Sequence, residues 1–238
     1  MSLYFQIVAR ESNTKEKLSS TATVRVTVQD ENDNAPVFER DLYTVAINED
    51  AANDTQIASI PATDRDSGLF GESGLKYELM GDNADKFIVD EETAAIRTAP
   101  CPTPGRAPCL DYEMRSTYFL TLKVSDDQGR GNNAMVPVRI DLVDSNDNPP
   151  HFEQFLFHAS VDEGASKFDP PFRVRARDDD LTSILTYSII AGNTEDLFTI
   201  NSRTGEIGVT KPLELNSSLV PTEEFTLSIE VGKLISFY

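Results

Sequence analysis

A nine-residue stretch rich in carboxylate and amide side chains occurs twice in this chain. It reads Asp-Glu-Asn-Asp-Asn-Ala-Pro-Val-Phe over residues 30–38 and Asp-Ser-Asn-Asp-Asn-Pro-Pro-His-Phe over residues 144–152, an interval of 114 residues. A pattern repeated at the length of a domain indicates an array of similar modules. The proline of each copy disfavours helix, and the aromatic residue at its end can begin a new core. Oxygen-rich segments of this kind suit Ca²⁺, which takes about six to eight oxygen ligands.

Residues within and just after each copy exclude an EF-hand. An EF-hand loop requires glycine at its sixth position and glutamate at its twelfth. The first copy has Ala35 and Asp41 at these positions, and the second has Pro149 and Phe155. The flanking segments also alternate in polarity as β-strands do.

The spacing of these alternating segments predicts an all-β chain. Residues 37–143 contain about seven short segments of this kind separated by turn residues, a pattern typical of a β-sandwich. Residues 1–29 contain two more, which cannot bury a core alone. Residues 152–238 begin the same pattern again and stop before a final strand. A helical period of useful length does not occur.

The linker pattern Asp-x-Asn-Asp-Asn-x-Pro-x-Phe, repeated at this interval, resembles the inter-repeat linker of cadherins. The resemblance covers the chain to about Val231 and implies tandem Greek-key β-sandwich repeats with Ca²⁺-binding linkers. It divides the chain into 1–36, the C-terminal hairpin of a truncated repeat, 37–150, a complete repeat, and 151–238, a repeat lacking its final strand.

In the cadherin family the Ca²⁺ ligands come from short acidic motifs together with the linker, and the resemblance carries these roles to matching residues here. At the second linker they are Glu49, Asp111, Glu113, Ser145, Asn146, Asp147, Asn148, Asp178 and Asp180. At the first linker, which is only half present, they are Glu31, Asn32, Asp33, Asn34, Asp64, Asp66 and Asp126. Because the ligands come from both neighbouring modules, we expect binding to be coupled to linker rigidity.

One position departs from the family pattern in a way that affects the metal. Counting forward along the last alternating segment places Lys233 where Asp126 stands in the preceding module. A lysine carries no lone pair for Ca²⁺ when protonated. We therefore expect the second linker to hold two ions well and a third poorly. In addition, Glu214 and Asn216 lie in a Leu-Glu-Leu-Asn motif that replaces the Leu-Asp-Arg-Glu of the family, which weakens any further junction.

The amino-acid composition limits the classes of binding partner that the chain can have. Acidic residues outnumber basic ones by 40 to 21, giving a formal charge of −19. Nucleic acid is excluded, because binding it requires basic patches, and divalent cations are favoured. The sequence contains no apolar run long enough to span a membrane, so we expect the parent protein to reach the membrane only through a segment missing here. The first residues lack the apolar core of a signal peptide, so that, if the chain carries a disulfide loop, we expect it to be a fragment or a gene model that lacks its ends.

Cysteine and sequon usage favours an oxidising compartment. The spacing of Cys101 and Cys109 suits a small disulfide-closed loop, with two free thiols as the alternative. A zinc site would need two more ligands, and His151 and His158 are distant in sequence. Two sequons predict glycosylation, at Asn53 and Asn216.

The resemblance implies calcium-dependent cell–cell adhesion rather than enzymatic activity. The expected partner is another cadherin ectodomain, bound homophilically or heterophilically, at the extracellular face of the plasma membrane. The chain has no Trp, which excludes adhesion by exchange of a tryptophan-bearing first strand within this piece. The alternative is a calcium-stiffened spacer without its own adhesive surface. A metal-dependent hydrolase is a remote alternative, because no His or Cys recurs beside the carboxylates.

Overall fold

The computed structural model describes residues 2–13, 15–100, 109–214 and 224–234. The chain divides into two compact units, the first comprising Met1–Ile47, Ala51–Cys109 and Thr117–Asp141, and the second comprising Asn48–Asp50, Leu110–Ser116 and Leu142–Tyr238. In the described ranges the regular structure is strand, apart from five 3₁₀ turns of three residues each. None of these helical segments has the length and apolar character needed to cross a membrane.

The chain begins with an isolated hairpin. Strand β1 (Ser2–Arg10) pairs antiparallel with β2 (Ser19–Thr27) over nine residues. Leu3 faces Val26 and Phe5 faces Val24, so the apolar residues of both strands share one side. Every residue of both strands is exposed, as expected when two strands have no second layer to cover them.

Residues 37–143 form the sheets of a β-sandwich. Their strands are β3 (Val37–Phe38), β4 (Tyr43–Asn48), β5 (Gln56–Ser59), β6 (Ala62–Thr63), β7 (Lys76–Met80), β8 (Phe87–Val89), β9 (Ala95–Thr98), β10 (Thr117–Ser125) and β11 (Asn133–Val143). One sheet has the order β4-β11-β10-β7, another has the order β5-β9-β8, and β3 pairs with β6. Several strands that are neighbours in a sheet are not consecutive in sequence, so the chain crosses between the sheets. This arrangement confirms the predicted all-β sandwich class.

Alternation along β10 and β11 builds the core of this sandwich. Leu120, Leu122 and Val124 of β10 are at most 2% exposed, whereas Phe119, directly before Leu120, is 71% exposed. Residues two apart on a strand point to the same face, so a period of two places one row in the core. Leu122 faces Val136 across the ladder, which extends that row into the neighbouring strand. Burying one such side chain contributes about 1.5–3 kcal/mol.

The last part of the chain forms shorter sheets around a second core. Its strands are β12 (His151–Phe152), β13 (Phe172–Arg173), β14 (Ala176–Arg177), β15 (Ile184–Ala191), β16 (Phe198–Ile200), β17 (Glu206–Val209) and β18 (Ser228–Leu234). The order β13-β17-β16 forms one sheet, while β12 pairs with β14 and β15 pairs with β18. The core contains Phe168, Val174, Tyr187, Phe198 and Ile207.

One expected strand of the last part is absent from the described residues. The alternation of Phe155, Phe157 and Ala159 indicates a strand, but no strand lies between β12 and β13. In residues 37–143 the corresponding strand, β4, is held by β11. The described part of the chain has no strand after β18 that could hold it in the same way. An edge segment without a ladder partner loses the hydrogen bonds that define a strand.

Two tyrosines mark equivalent places in the two sandwiches. The hydroxyl of Tyr77 in β7 accepts a hydrogen bond from the backbone N–H of Ala62, 2.8 Å away. The hydroxyl of Tyr187 in β15 accepts one from the backbone N–H of Ala176, 3.1 Å away. Both tyrosines are buried, so each hydroxyl satisfies a backbone donor that would otherwise be costly to bury. The two modules can be aligned on these residues.

Candidate metal centre

Two overlapping groups of carboxylates lie at strand ends around the second linker. Oxygen atoms of Glu49, Glu113 and Asp147 all lie within 4.8 Å of one another, as do those of Glu113, Asp144 and Asp180. Glu49 directly follows β4, Asp144 directly follows β11, and Glu113 lies in the segment before β10. All five residues belong to the second compact unit. The fold therefore gathers side chains from four separate stretches of sequence.

The Glu49 carboxylate is buried and fixed by backbone donors. Its side chain is 1% exposed. The N–H of Tyr112 donates to Oε2 and the N–H of Ser145 donates to Oε1, each at 2.6 Å. The N–H of Glu49 itself donates to the carbonyl of Val143 at 3.2 Å. Hydrogen bonds to a charged acceptor are stronger than neutral ones, so they hold this carboxylate in one orientation.

Glu113 belongs to both groups, and its pKa is raised there. Partial desolvation raises the pKa of its carboxyl above the ordinary value, a backbone hydrogen bond lowers it, and the charges of Glu49, Asp144 and Asp147 raise it further. The net shift of the pKa is upward, because desolvation, the largest cause, and the like charges both disfavour the ionised carboxylate. A divalent cation placed among these groups would relieve the repulsion.

A third cluster centres on Asp180, whose side chain has no exposed surface. The backbone N–H and the side-chain amide of Asn148 donate to Asp180 Oδ1 at 3.2 and 3.0 Å. Lys233 Nζ lies 2.5 Å from Asp180 Oδ2 and 3.8 Å from Oδ2 of Asp178, whose side chain is 2% exposed. Desolvation raises the pKa of Asp180, but the hydrogen bonds from Lys233 and Asn148 hold it below its ordinary value.

The first linker brings together its own set of predicted ligands, in the first compact unit. The side-chain amide of Asn32 donates to Asp126 Oδ1 at 2.7 Å, and Asp126 is fully buried. The backbone N–H of Asn34 donates to Asp66 Oδ2 at 3.0 Å, and its side-chain amide contacts Asp66 Oδ1. The N–H of Asp66 donates to Asp64 Oδ1 at 2.9 Å.

The first aspartate of each linker has a role that sequence reasoning missed. Asp30 Oδ2 accepts a hydrogen bond from the N–H of Ser67 at 2.8 Å, and Asp144 Oδ2 accepts one from the N–H of Leu181 at 2.7 Å. Each bond joins the start of a linker to the turn that follows the Asp-x-Asp motif. The signal was available, because both residues open the repeated nine-residue pattern.

Two further residues of the first linker site were also missed. Asn132 donates its side-chain amide to Asn32 Oδ1 at 2.6 Å and to the carbonyl of Asn34 at 2.9 Å. A Cβ built on Gly131 would overlap Asp126 Oδ1 and crowd the Asn32 amide. Only glycine leaves room for this contact. The available signal was the glycine-rich turn that directly follows Asp126.

Buried carboxylate oxygens without a hydrogen-bond partner test whether a metal fits. Among the described residues these atoms are Asp64 Oδ2, Asp126 Oδ2, Asp144 Oδ1 and Asp178 Oδ2. All four lie at the two linkers, and burying such an atom without a partner is costly. Carboxylate, amide and carbonyl oxygens are the ligands that Ca²⁺ prefers, so the donor set fits this ion.

Some predicted ligands lie outside the carboxylate groups. Asp111 Oδ1 accepts a hydrogen bond from the N–H of Met114 at 2.7 Å, and Asp111 belongs to neither group of three. Asn146 is exposed, as are Glu31 and Asp33. These four predicted ligands therefore lie outside the two groups of three carboxylates, whose predicted members are Glu49, Glu113, Asp147 and Asp180.

The predicted modification sites are only partly within the described residues. Asn53 is exposed in the turn between β4 and β5. Asn216 and Cys101 lie outside the described ranges. The carbonyl of Cys109 accepts a hydrogen bond from Lys86 Nζ at 3.1 Å. Glycosylation and the Cys101–Cys109 disulfide stay predictions.

Repeated strand sandwiches with acidic linkers define a class of β-sandwich repeat proteins. Residues 43–142 and 157–234 match the Cadherin domain family, so well over half of the chain is covered and the chain belongs to the cadherin family. It is 32% identical to Drosophila melanogaster Cadherin-87A, with 95% of this chain covered, and 33% identical to Homo sapiens Cadherin-related family member 1, with 96% covered. The chain spans 16% and 26% of the length of these relatives.

Solved structures support the same assignment. Mouse cadherin-23 EC22-24 has a TM-score of 0.69 and 27% identity, covering 90% of this chain and 65% of that chain. Protocadherin gamma B2 extracellular cadherin domains 3-6 has a TM-score of 0.62 and 25% identity, covering 97% of this chain and 54% of that chain.

Proposed function

We propose that this chain binds Ca²⁺ at its two linkers and forms part of an ectodomain for calcium-dependent cell–cell adhesion. The observation that carries the proposal is that Glu113 belongs to two groups of three carboxylates. Within each group the oxygen atoms lie within 4.8 Å of one another. Desolvation and this crowding both raise the pKa of Glu113, and a divalent cation would relieve the repulsion among the carboxylates. The oxygen donors and the family membership both point to calcium.

The proposed ligands include residues from widely separated stretches of sequence. At the second linker they are Glu49, Asp111, Glu113, Ser145, Asn146, Asp147, Asn148, Asp178 and Asp180. At the first linker they are Glu31, Asn32, Asp33, Asn34, Asp64, Asp66 and Asp126. When bound, Ca²⁺ would supply the positive charge that these carboxylates lack. Because one ion would tie several segments together, binding restrains the linker.

Calcium titration by calorimetry tests this proposal. We expect saturable binding to the chain, and a loss of affinity of roughly tenfold or more in Asp147→Asn, because one charged ligand is removed. Asp85→Asn, an exposed change in the 3₁₀ turn Ala84–Lys86, serves as the control and binds as the parent does. Absence of saturable heat in the unaltered chain would sink the proposal.

The restraint on the linker has a separate readout. Removing calcium with EDTA should increase proteolytic cleavage near Asn148, because the segment loses the ion that its ligands would share. Cleavage within the β10–β11 ladder should change less, because that ladder lies in a buried core. Equal cleavage with and without EDTA contradicts the coupling.

The adhesive role is tested on beads. The proposal places the parent protein at the extracellular face of the plasma membrane, with another cadherin ectodomain as its partner and no enzymatic role. Beads coated with this chain should aggregate with each other, or with beads carrying a related ectodomain, only when calcium is present. Calcium binding without aggregation would instead identify the chain as a calcium-stiffened spacer.

A further inference from the structure

Strand pairing aligns Lys233 with Asp126. In β10 the residue opposite Tyr77 lies two positions before Asp126, and in β18 the residue opposite Tyr187 lies two positions before Lys233. Since the two tyrosines make the same hydrogen bond to a backbone N–H, they provide an independent alignment of the modules. A lysine therefore occupies the place that an aspartate occupies in the preceding module.

The ammonium group of Lys233 reaches three groups at once. Its Nζ lies 2.5 Å from Asp180 Oδ2, 2.5 Å from the carbonyl oxygen of Asn148 and 3.8 Å from Asp178 Oδ2. The lysine side chain is 16% exposed, so this contact is largely shielded from water. All three oxygens belong to residues in the proposed Ca²⁺ ligand set. A cation already lies among them.

The first linker provides the contrast within the same chain. Asp64 and Asp126 each carry a buried Oδ2 without a hydrogen-bond partner. Within the ranges that the structure describes, no lysine or arginine pairs with Asp64, Asp66 or Asp126. At the second linker Asp178 Oδ2, the counterpart of Asp64 Oδ2, also lacks a hydrogen-bond partner, but it lies 3.8 Å from the Lys233 ammonium, and that lysine stands in the place of Asp126. The two linkers thus share a backbone arrangement and differ in the charge placed against it.

We propose that the Lys233 ammonium takes the place of one Ca²⁺ at the second linker, so that this linker holds one ion fewer than it would with an aspartate there. The inference rests on the proposed calcium function. A second cation close to the ammonium is repelled, and the repulsion is strong where water is excluded. The ammonium also occupies acceptor oxygens of Asp180 and Asn148 that the ion would need.

The first test needs no calcium. In EDTA, Lys233→Gln leaves Asp178 and Asp180 buried without their cation, so we expect a lower melting temperature than that of the parent chain. Lys211→Gln is the matched control, because Lys211 lies in the same unit, is 60% exposed and pairs loosely with Glu195 at 3.7 Å. Equal melting of the parent, Lys233→Gln and Lys211→Gln would overturn the inference, whether or not the chain binds calcium.

The second test counts ions on the full chain by calorimetry. Lys233→Asp should bind one more Ca²⁺ than the parent, and Lys211→Asp should bind the same number. Asp126→Lys, which transfers the lysine to the first linker, should bind one fewer. If Lys233→Asp and the parent bind the same number of ions, the inference is wrong while the calcium function stands. If no variant binds calcium, the calcium function fails, and the measurements in EDTA still decide whether Lys233 neutralises its neighbours.

Discussion

Asn32 donates its side-chain amide to Asp126 Oδ1 across 2.7 Å, although the two residues are 94 positions apart in sequence. The bond joins the linker that opens the complete sandwich to the end of its strand β10. Because Asp126 is fully buried, the bond holds a carboxylate that has a second oxygen without a partner. The first linker is therefore attached to the sandwich by the same side chain that we propose as a metal ligand.

Gly131→Ala should damage this attachment. The new Cβ would overlap Asp126 Oδ1, and over-packing of a well-packed site costs about 1–3 kcal/mol. Denaturant unfolding should show this loss, and calcium affinity at the first linker should fall with it. Gly232→Ala is the control, because its Cβ would lie 3.6 Å from Thr186 Oγ1 in ordinary contact. Equal stability of the two variants would contradict the argument.

Tyr77→Phe should destabilise the chain by about 1–3 kcal/mol, because the buried N–H of Ala62 loses its acceptor. Tyr4→Phe removes a hydroxyl from a residue that is 64% exposed and should have little effect. Chemical denaturation of the two variants measures the difference. If Tyr77→Phe is as stable as Tyr4→Phe, a water or another group satisfies Ala62.

The same tyrosine predicts a loss of stability in alkali. Burial raises the pKa of Tyr77 above its ordinary value of 10.0, while the Ala62 N–H lowers it and the charge of Glu72 raises it. The folded state therefore favours the neutral phenol. Its contribution to the free energy of unfolding is fully present below about pH 10 and is lost as the pH rises through the raised pKa. As the pH rises above about 10, the parent should lose more stability than Tyr77→Phe does; parallel curves would refute this.

Glu113→Gln should have opposite effects with and without calcium. In EDTA the variant should be more stable than the parent, since the repulsion from Glu49, Asp144 and Asp147 disappears. In calcium it should bind more weakly, by roughly tenfold or more. Glu230→Gln, on an exposed position of β18, should change neither property. Thermal melting in both buffers provides the measurement, and a variant that is less stable in EDTA would disprove the crowding.

Cys101 and Cys109 are predicted to form a disulfide in secreted material. A bridge across so short a loop restrains the unfolded chain by roughly 2–3 kcal/mol on the chain-entropy model. Mass spectrometry of unreduced peptides should find the two cysteines linked. Alkylation of both thiols without prior reduction would show that they are free.

Much of the fold could be predicted because alternation and linker chemistry are local signals. The strands around Tyr118–Val124 and the pairing of Asp64 with Asp66 follow from residues a few positions apart. The strand expected near Phe157 did not form, since a strand depends on a partner elsewhere in the chain. Local alternation cannot report whether that partner exists.

The acidic residues of the proposed site could be selected from the sequence, whereas the residues that support them could not. Asp126 follows a strand and carries the charge that the proposed metal would require, so its type and position select it as a candidate ligand. Gly131 and Asn132 contribute space and amide donors, and the glycine-rich turn marks their segment without showing which groups they contact. Likewise the repeated pattern marks Asp144, but its partner Leu181 is seen only in the structure.

The stabilisation by a charge that belongs to the polypeptide does not depend on concentration, whereas the stabilisation by an ion bound from solution does. A bound ion stabilises a protein by an amount that grows with its concentration. Lys233 reaches Asp180 as soon as the chain folds, and its local concentration is independent of the surrounding fluid. If the second linker binds Ca²⁺ as we propose, a fall in calcium concentration removes that ion from the carboxylates around Glu113 by mass action, whereas Lys233 stays beside Asp180. The proposed site would thus combine a part that responds to calcium with a part that the sequence sets permanently.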